Sequence, residues 1–289
     1  MIGPGRLGGA LAIALAGSEF APGEIVFRAT DGAKKIAALL GNEPKLIAYG
    51  NLAESSADIL LIAVPDPEIA VIVAKMVGSV QPGTVVLHTS GSLSSSVLND
   101  LTPAGCFVGS MHPLVSASDA VAGSKQMRGA YFCLEGDAEA VRVATEIAGV
   151  LGALPFTIDA AFKPLYHAAA VCASGHLVAL VDTAIEILGV CGIGDQRARE
   201  ILLPLITSTV ANLKLQEPAS ALTGPFARGD AAAVERHLAA FGDVISRNAI
   251  AVYLLLAERS LDLAEARGIE SAVVQAMRQR IIVAKRNIE

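Results

Sequence analysis

Lys163, Tyr166 and His167 fall within one five-residue stretch. At helical spacing Lys163 and His167 share a face. A lysine near a carbonyl can polarise it and protonate the nascent alkoxide during hydride transfer. We expect Lys163 to be the proton donor and His167 its orienter. His112 lies in Gly109-Ser110-Met111-His112-Pro113-Leu114, just after a buried apolar run. A histidine there can hold a substrate hydroxyl or shuttle its proton near neutral pH. Ser90 and Ser92, in His88-Thr89-Ser90-Gly91-Ser92, offer hydroxyls and backbone amides to an anionic or carbonyl substrate. Ser174, about two turns beyond His167, is expected to line the same pocket. Arg228, in the polar island Thr223 to Asp230, is expected to reach a substrate carboxylate. Each group also has a plainer reading: a snorkelling lysine, a loop histidine, a Ser/Thr-capped helix start, and Asp230 as a helix cap.

A cofactor for such a step is suggested at the other end of the chain. Gly3-Pro4-Gly5-Arg6-Leu7-Gly8 matches GxGxxG and opens a helical run. The first glycine makes the tight turn, the second lets a pyrophosphate approach, and the third lets the helix pack on the sheet. Amides of Arg6, Leu7 and Gly8 then face the phosphates. The second strand ends at Arg28, with Thr30 close behind, where an NAD enzyme would place an acid. Arg28 can pair with a 2′-phosphate, so NADP is the expected cofactor, with NAD or a deazaflavin as alternatives. Asp31 pulls the other way, because a one-residue shift would put an acid near that ribose. Val64-Pro65-Asp66 ends another buried strand and should border the nicotinamide side of the crevice. No zinc-like spacing of His and Cys occurs, so no metal is expected.

These residues need a scaffold. The first half alternates short β-branched runs with helical patterns: strands over 24–28, 45–49, 57–64, 83–89, 106–111, 129–134 and 154–158, helices over 31–40, 67–77 and 137–151. That alternation predicts an α/β fold, a doubly wound Rossmann-type parallel sheet. Beyond Asp159 the patterns are helical: 160–191, 195–215, 231–237, 243–267 and 270–285. We therefore expect a dinucleotide-binding domain over 1–158 and an all-α domain over 159–289 for substrate binding and dimerisation. Only Met1 and Ile2 precede Gly3, where the central strand should lie, so we expect that strand to be cut short and the start to lie upstream.

Composition narrows the classes further. With 289 residues and 53% hydrophobic residues the chain can bury a large core. A net charge of -6 argues against nucleic acid and against a polybasic membrane surface. The run from Ala168 to Ala184 is apolar but interrupted by His176 and Asp182, and reads as a buried core helix. The Met1 to Ser18 segment mimics a signal peptide, but its glycines have the better explanation given above. Four scattered cysteines read as buried small side chains in a reducing cytosol. A cytoplasmic homodimer acting on a small molecule is the expectation.

Taken together, Gly3 to Ala10, Val64-Pro65-Asp66, His88 to Ser92, Gly109 to Leu114, Lys163 to Ala173 and Leu222 to Asp230 resemble one family. It comprises Rossmann-like NADP-dependent oxidoreductases whose helical C-terminal half is a domain of unknown function, DUF 2520. The resemblance implies fold and cofactor but no settled substrate. The layout is also similar to ketopantoate reductases and beta-hydroxyacid dehydrogenases. The latter use a lysine followed four residues later by asparagine; Lys163 matches, and His167 replaces the asparagine. Gly175 likewise stands where family members carry asparagine. The His112-Pro113 loop is similar to that of prephenate dehydrogenases, whose histidine contacts the substrate hydroxyl. The leading expectation is hydride transfer with a small carbonyl or hydroxy acid. The alternatives are a prephenate-dehydrogenase-like enzyme using His112 and a non-catalytic NADP-binding regulator or scaffold.

Overall fold

The computed structural model describes residues 1–242 and 244–286. It divides into two compact units, Met1–Ser174 and Gly175–Glu289. The first unit runs α1 (Arg6–Leu15), β1 (Glu24–Phe27), α2 (Thr30–Leu40), β2 (Lys45–Ala48), β3 (Ile59–Ile62) and α3 (Asp66–Met76). It continues through β4 (Val85–His88), β5 (Phe107–Pro113), α4 (Ala120–Lys125), β6 (Tyr131–Gly136), α5 (Ala138–Val150), β7 (Leu154–Thr157) and α6 (Lys163–Ala173). Strand character stops at Thr157, beside the expected change at Asp159, whereas the compact unit continues through α6.

The strands lie in the order β3-β4-β5-β6-β7, with β2-β1 as a separate pair. Ile2 joins the two groups by parallel bridges to Val26 and Ile62. Met1 and Ile2 carry the central strand's ladder: Ile2 N donates to Leu61 O, Ala63 N to Ile2 O and Val26 N to Met1 O, each at 2.8 Å. These bonds anchor the glycine turn despite the shortness of the strand. Near-continuous apolar runs place one core on each face. Leu11, Leu15, Ile25, Leu87 and Ile147 pack on one side, and Ile2, Ile62, Ile69, Ile72 and Val86 on the other.

Within the expected parallel sheet one pairing runs the other way. β6 runs antiparallel to β5, pairing His112 with Cys133, while β7 is parallel to β6. Only the six-residue α4 lies between β5 and β6, and it packs on α1. It supplies no crossover over the sheet, so the chain returns in the opposite sense.

The second unit is helical: α7 (Gly175–Val190), α8 (Asp195–Leu215), α9 (Pro218–Ala221), α10 (Gly224–Ala227), α11 (Ala231–Phe241), α12 (Arg247–Ala266) and α13 (Ser271–Arg286). Its core is Val234, Leu254, Leu261, Val274, Met277 and Ile281. The helix expected from Asp243 begins at Arg247, and Asp243 itself lies outside the described residues. The single helix expected over 160–191 breaks at Ser174 (φ −125°, ψ −78°). The expectation of a buried core helix over Ala168–Ala184 is overturned. α7 buries none of its side chains, and Leu177, Val178 and Leu180 are exposed. Ala160–Val190 is long and apolar enough to cross a membrane by length and composition. The four cysteines are free; Cys106 and Cys133 are buried as expected, but Cys172 and Cys191 are exposed.

Candidate functional site

In a parallel sheet, loops leaving the carboxyl ends of neighbouring strands meet at one edge. Here those loops begin at Gly3, Arg28, Ala63, Thr89 and Leu114, after Ile2, β1, β3, β4 and β5.

The glycine turn is set by steric closeness. Gly3 has φ +85°, and a Cβ there would lie 2.7 Å from Val64 Cγ1 and 2.8 Å from Ala63 O. A Cβ on Gly8 would run into the Gly3 carbonyl oxygen and come 2.9 Å from Ala63 Cβ. Beside Gly5, by contrast, a Cβ would find nothing within 4 Å. Gly5 caps α1 without a side-chain acceptor for the first-turn amides. An open glycine at the positive end of a ten-residue helix fits a dinucleotide's pyrophosphate. Arg6 is exposed and Leu7 half-buried in that first turn.

A cavity of about 300 Å³ continues from the turn, lined by Gly3, Gly5, Arg28, Val64, Pro65 and Glu68, among others. Arg28 donates to both Glu68 oxygens, at 3.0 and 2.8 Å, and its guanidinium lies 5.3 Å from the Tyr49 ring centroid. Thr30, expected to contact the cofactor, is exposed at the start of α2 and does not line the cavity; Ala29 and Gly32 do. The helical turn supplies backbone there, while the Thr30 side chain is left in solvent.

Further along the same edge the side chains cluster. Asp66 opens α3 and accepts a 2.6 Å hydrogen bond from Ser92 Oγ, tying the loops after β3 and β4 together. Ser90 Oγ accepts from Ser92 N and Leu93 N, and His88 Nδ1 accepts from Ser90 N at 3.1 Å. Lys163 comes up from below. Its Nζ donates to Ser90 O at 3.0 Å and to Ser110 Oγ at 2.7 Å, and the residue is 0% exposed. Burial holds its pKa below the ordinary lysine value. His112 Nδ1 shares a 2.7 Å hydrogen bond with Tyr166 Oη. His167 stands edge-on to His112, ring centroids 5.8 Å apart. Gly91 fits between the two imidazoles: a Cβ there would collide with His167 Nδ1 and come within 2.8 Å of His112 Nε2.

The electrostatics of this cluster keep His88 and His112 neutral. Burial, reinforced by the Lys163 charge, pushes His88 and His112 down to about 4. Burial raises the Tyr166 phenol, so it stays protonated. His88 Nε2 and His167 Nδ1 are buried and find no partner among the described residues.

The structure thus brings together Asp66, Ser90, Ser92, His112, Lys163 and His167. It does not give Lys163 the direct contact expected of a proton donor, because both bonds point into protein and no surface remains. Nor does His167 orient it: the two share a face, but Lys163 reaches Ser90 while His167 packs at Gly91. Ser174, expected in the same pocket, is exposed and donates its hydroxyl to Ala170 O in its own helix at 2.7 Å. Arg228 lies in the second unit, exposed at the end of α10, and Asp230 caps α11 through Ala233 N. Sequence reasoning missed Glu68 and Tyr49 at the cofactor end. It also missed Ser110 and Glu135, the latter a buried carboxylate that accepts from Ser95 N and Oγ, each at 2.7 Å. Nothing local marks Glu135, whose partner is 40 residues away.

Fold and glycine turn define a Rossmann-like dinucleotide-binding half followed by helices. Residues 1–113 match the Rossmann-like domain family, and residues 130–260 match the domain of unknown function DUF2520. The chain is similar to each family in a separate stretch, the first followed by the second. Protein TM1727 from Thermotoga maritima is 25% identical over 92% of this chain and 98% of its own, with a TM-score of 0.71. A "putative NADP oxidoreductase", BF3122 from Bacteroides fragilis, is 22% identical over 90% and 95%, TM-score 0.72. Plasmodium falciparum pyrroline carboxylate reductase, solved with NADP bound, is 12% identical over 96% and 97%, TM-score 0.59, and shares the fold. No curated protein matches the sequence.

Proposed function

We propose that this chain is an NADP-dependent oxidoreductase that transfers a hydride between the cofactor and a small carbonyl or hydroxy acid. The observation that carries the reading is the meeting, on one sheet edge, of an open glycine turn and a neutral histidine facing Gly91. A bound nicotinamide dinucleotide supplies or accepts the hydride. Gly3, Gly5 and Gly8 seat its diphosphate, Arg28 reaches its adenosine ribose, and Val64-Pro65 form the wall beyond.

The proton is the task of His112. Tyr166, held protonated, donates to Nδ1, which leaves the imidazole proton on Nε2, the nitrogen beside Gly91. Nε2 then donates to a substrate oxygen as negative charge develops there, or accepts its proton in the reverse direction. Lys163 is a positioning residue: it fixes the Ser90 carbonyl and keeps His112 neutral.

Arg28, directly after β1, favours NADP over NAD or a deazaflavin. A thermal-shift screen of the three cofactors, then a panel of 2-oxo acids and prephenate with the best, tests the reading. NADP should raise the melting temperature most, and one substrate should oxidise NADPH or reduce NADP. Stabilisation by none of the three would overturn it; stabilisation without turnover on any acid would leave a binding protein.

The second unit supports a homodimer. Exposed Leu177, Val178, Leu203, Leu205, Leu213 and Leu215 give α7 and α8 an apolar surface that a second copy would cover. Light scattering should give twice the chain mass, and Leu205→Glu should halve it.

A further inference from the structure

Among the described residues Glu68 is the one carboxylate lining the glycine-turn cavity, and the proposed hydride transfer does not use it. It sits in the first turn of α3 and holds Arg28 through two parallel hydrogen bonds of 3.0 and 2.8 Å. Glu68 takes the outer edge of the guanidinium, through Nη1 and Nη2, and a phosphate that uses the same edge competes with it. Arg28 directly follows β1, the strand beside Ile2, so it occupies the position from which a side chain reaches the ribose 2′-group. A 2′-phosphate that takes this edge displaces Glu68 or binds beside its charge, whereas a free 2′-hydroxyl leaves the pair intact.

Tyr49 makes the place receptive. Its ring lies under the guanidinium, and its hydroxyl is buried with no hydrogen-bond partner among the described residues. The ring keeps Arg28 over the cavity whichever anion it pairs with.

We propose that Glu68 is the specificity-determining residue of the cofactor site. It is an internal competitor for Arg28 that lowers the preference for a 2′-phosphorylated ribose. The inference rests on the dinucleotide reading above. The pair is solvent-accessible, with Arg28 66% and Glu68 29% exposed, so its strength is that of a surface ion pair. Releasing it is worth about fivefold at most in affinity, and the carboxylate's repulsion of a phosphate dianion adds to that.

The test uses the whole chain and two probes, adenosine 2′,5′-bisphosphate and adenosine 5′-diphosphate, titrated by calorimetry. Glu68→Gln should tighten the 2′-phosphorylated probe by about fivefold or more and leave the other nearly unchanged. Arg28→Ala should abolish the preference, and Glu68→Gln in the Arg28→Ala background should then have a smaller effect, that of the lost repulsion alone. Both positions are on the surface, and a melting temperature near wild type confirms folding. If both probes bind but Glu68→Gln leaves their ratio unchanged, the proposal is wrong and the dinucleotide reading stands. If neither probe binds the wild-type chain, the dinucleotide reading fails, and the proposal with it.

Discussion

The glycine turn and the histidine cluster occupy the same edge of one sheet, yet they are made of different material. The turn is backbone. Gly3, Gly5 and Gly8 lie within six residues of one another, and what they share is the absence of a Cβ where a carbonyl, a valine or a phosphate must come close. The cluster is side chains. His88, Ser90, His112, Lys163, Tyr166 and His167 come from the ends of β4 and β5 and from α6, and hydrogen bonds and burial hold them together. One region is therefore sensitive to volume and the other to charge.

Acid should separate the two most strongly. Buried His88 and His112 titrate near 4 in the fold against an ordinary 6.5, so between those values the unfolded chain binds more protons. Stability should be flat above about pH 7 and fall as pH drops from about 6.5 to about 4, by up to about 3 kcal/mol per histidine. Urea denaturation across that range measures it. His88→Asn, which keeps an acceptor for Ser90 N, should flatten the slope by one histidine's share. An unchanged slope would mean the cluster is not charge-sensitive.

Gly8→Ala should come next, because its Cβ must displace the Gly3 carbonyl or the α1 helix. A loss of about 3 kcal/mol, without change in the pH slope, is expected in the same melts. Lys163→Met should cost about 2 kcal/mol, because Ser90 O and Ser110 lose their donor while a buried charge is relieved. It should also raise the His112 pKa, read from imidazole proton shifts by NMR; no movement would remove Lys163 from the electrostatic account. The smallest effect is expected at Gly5→Ala. Open space there limits the stability change to about 0.5 kcal/mol, but a methyl group in the phosphate seat should weaken adenosine 5′-diphosphate binding by about tenfold. Unchanged binding would move the diphosphate elsewhere.

Most of the first unit was legible in advance because its signals are local. Apolar runs closed by Gly, Pro or polar residues gave every strand to within a few residues, and GxGxxG gave the turn. The direction of β6 was not legible, since Tyr131–Gly136 reads as the same apolar run either way and only the short α4 decides it. The spacing of Lys163 and His167 showed a shared face, but not that one ends in the core and the other beside Gly91. His112 and Tyr166 are 54 residues apart, and Arg28 and Glu68 are 40, so neither pairing leaves a mark on either segment. In α7 the apolar residues were plain, but periodicity cannot say what covers them, and among the described residues none of them is fully buried.

Residue order alone determined where the backbone turns and which segments are strand or helix, since these depend on missing Cβ atoms, fixed proline angles and apolar spacing within a few residues. Folding in three dimensions decided which charges meet and which are sealed from water. That choice put Lys163 beneath Ser90, made His112 neutral and paired Arg28 with Glu68. Coulombic and desolvation energies depend on distances between groups far apart in the chain, and only the packed sheet sets those distances.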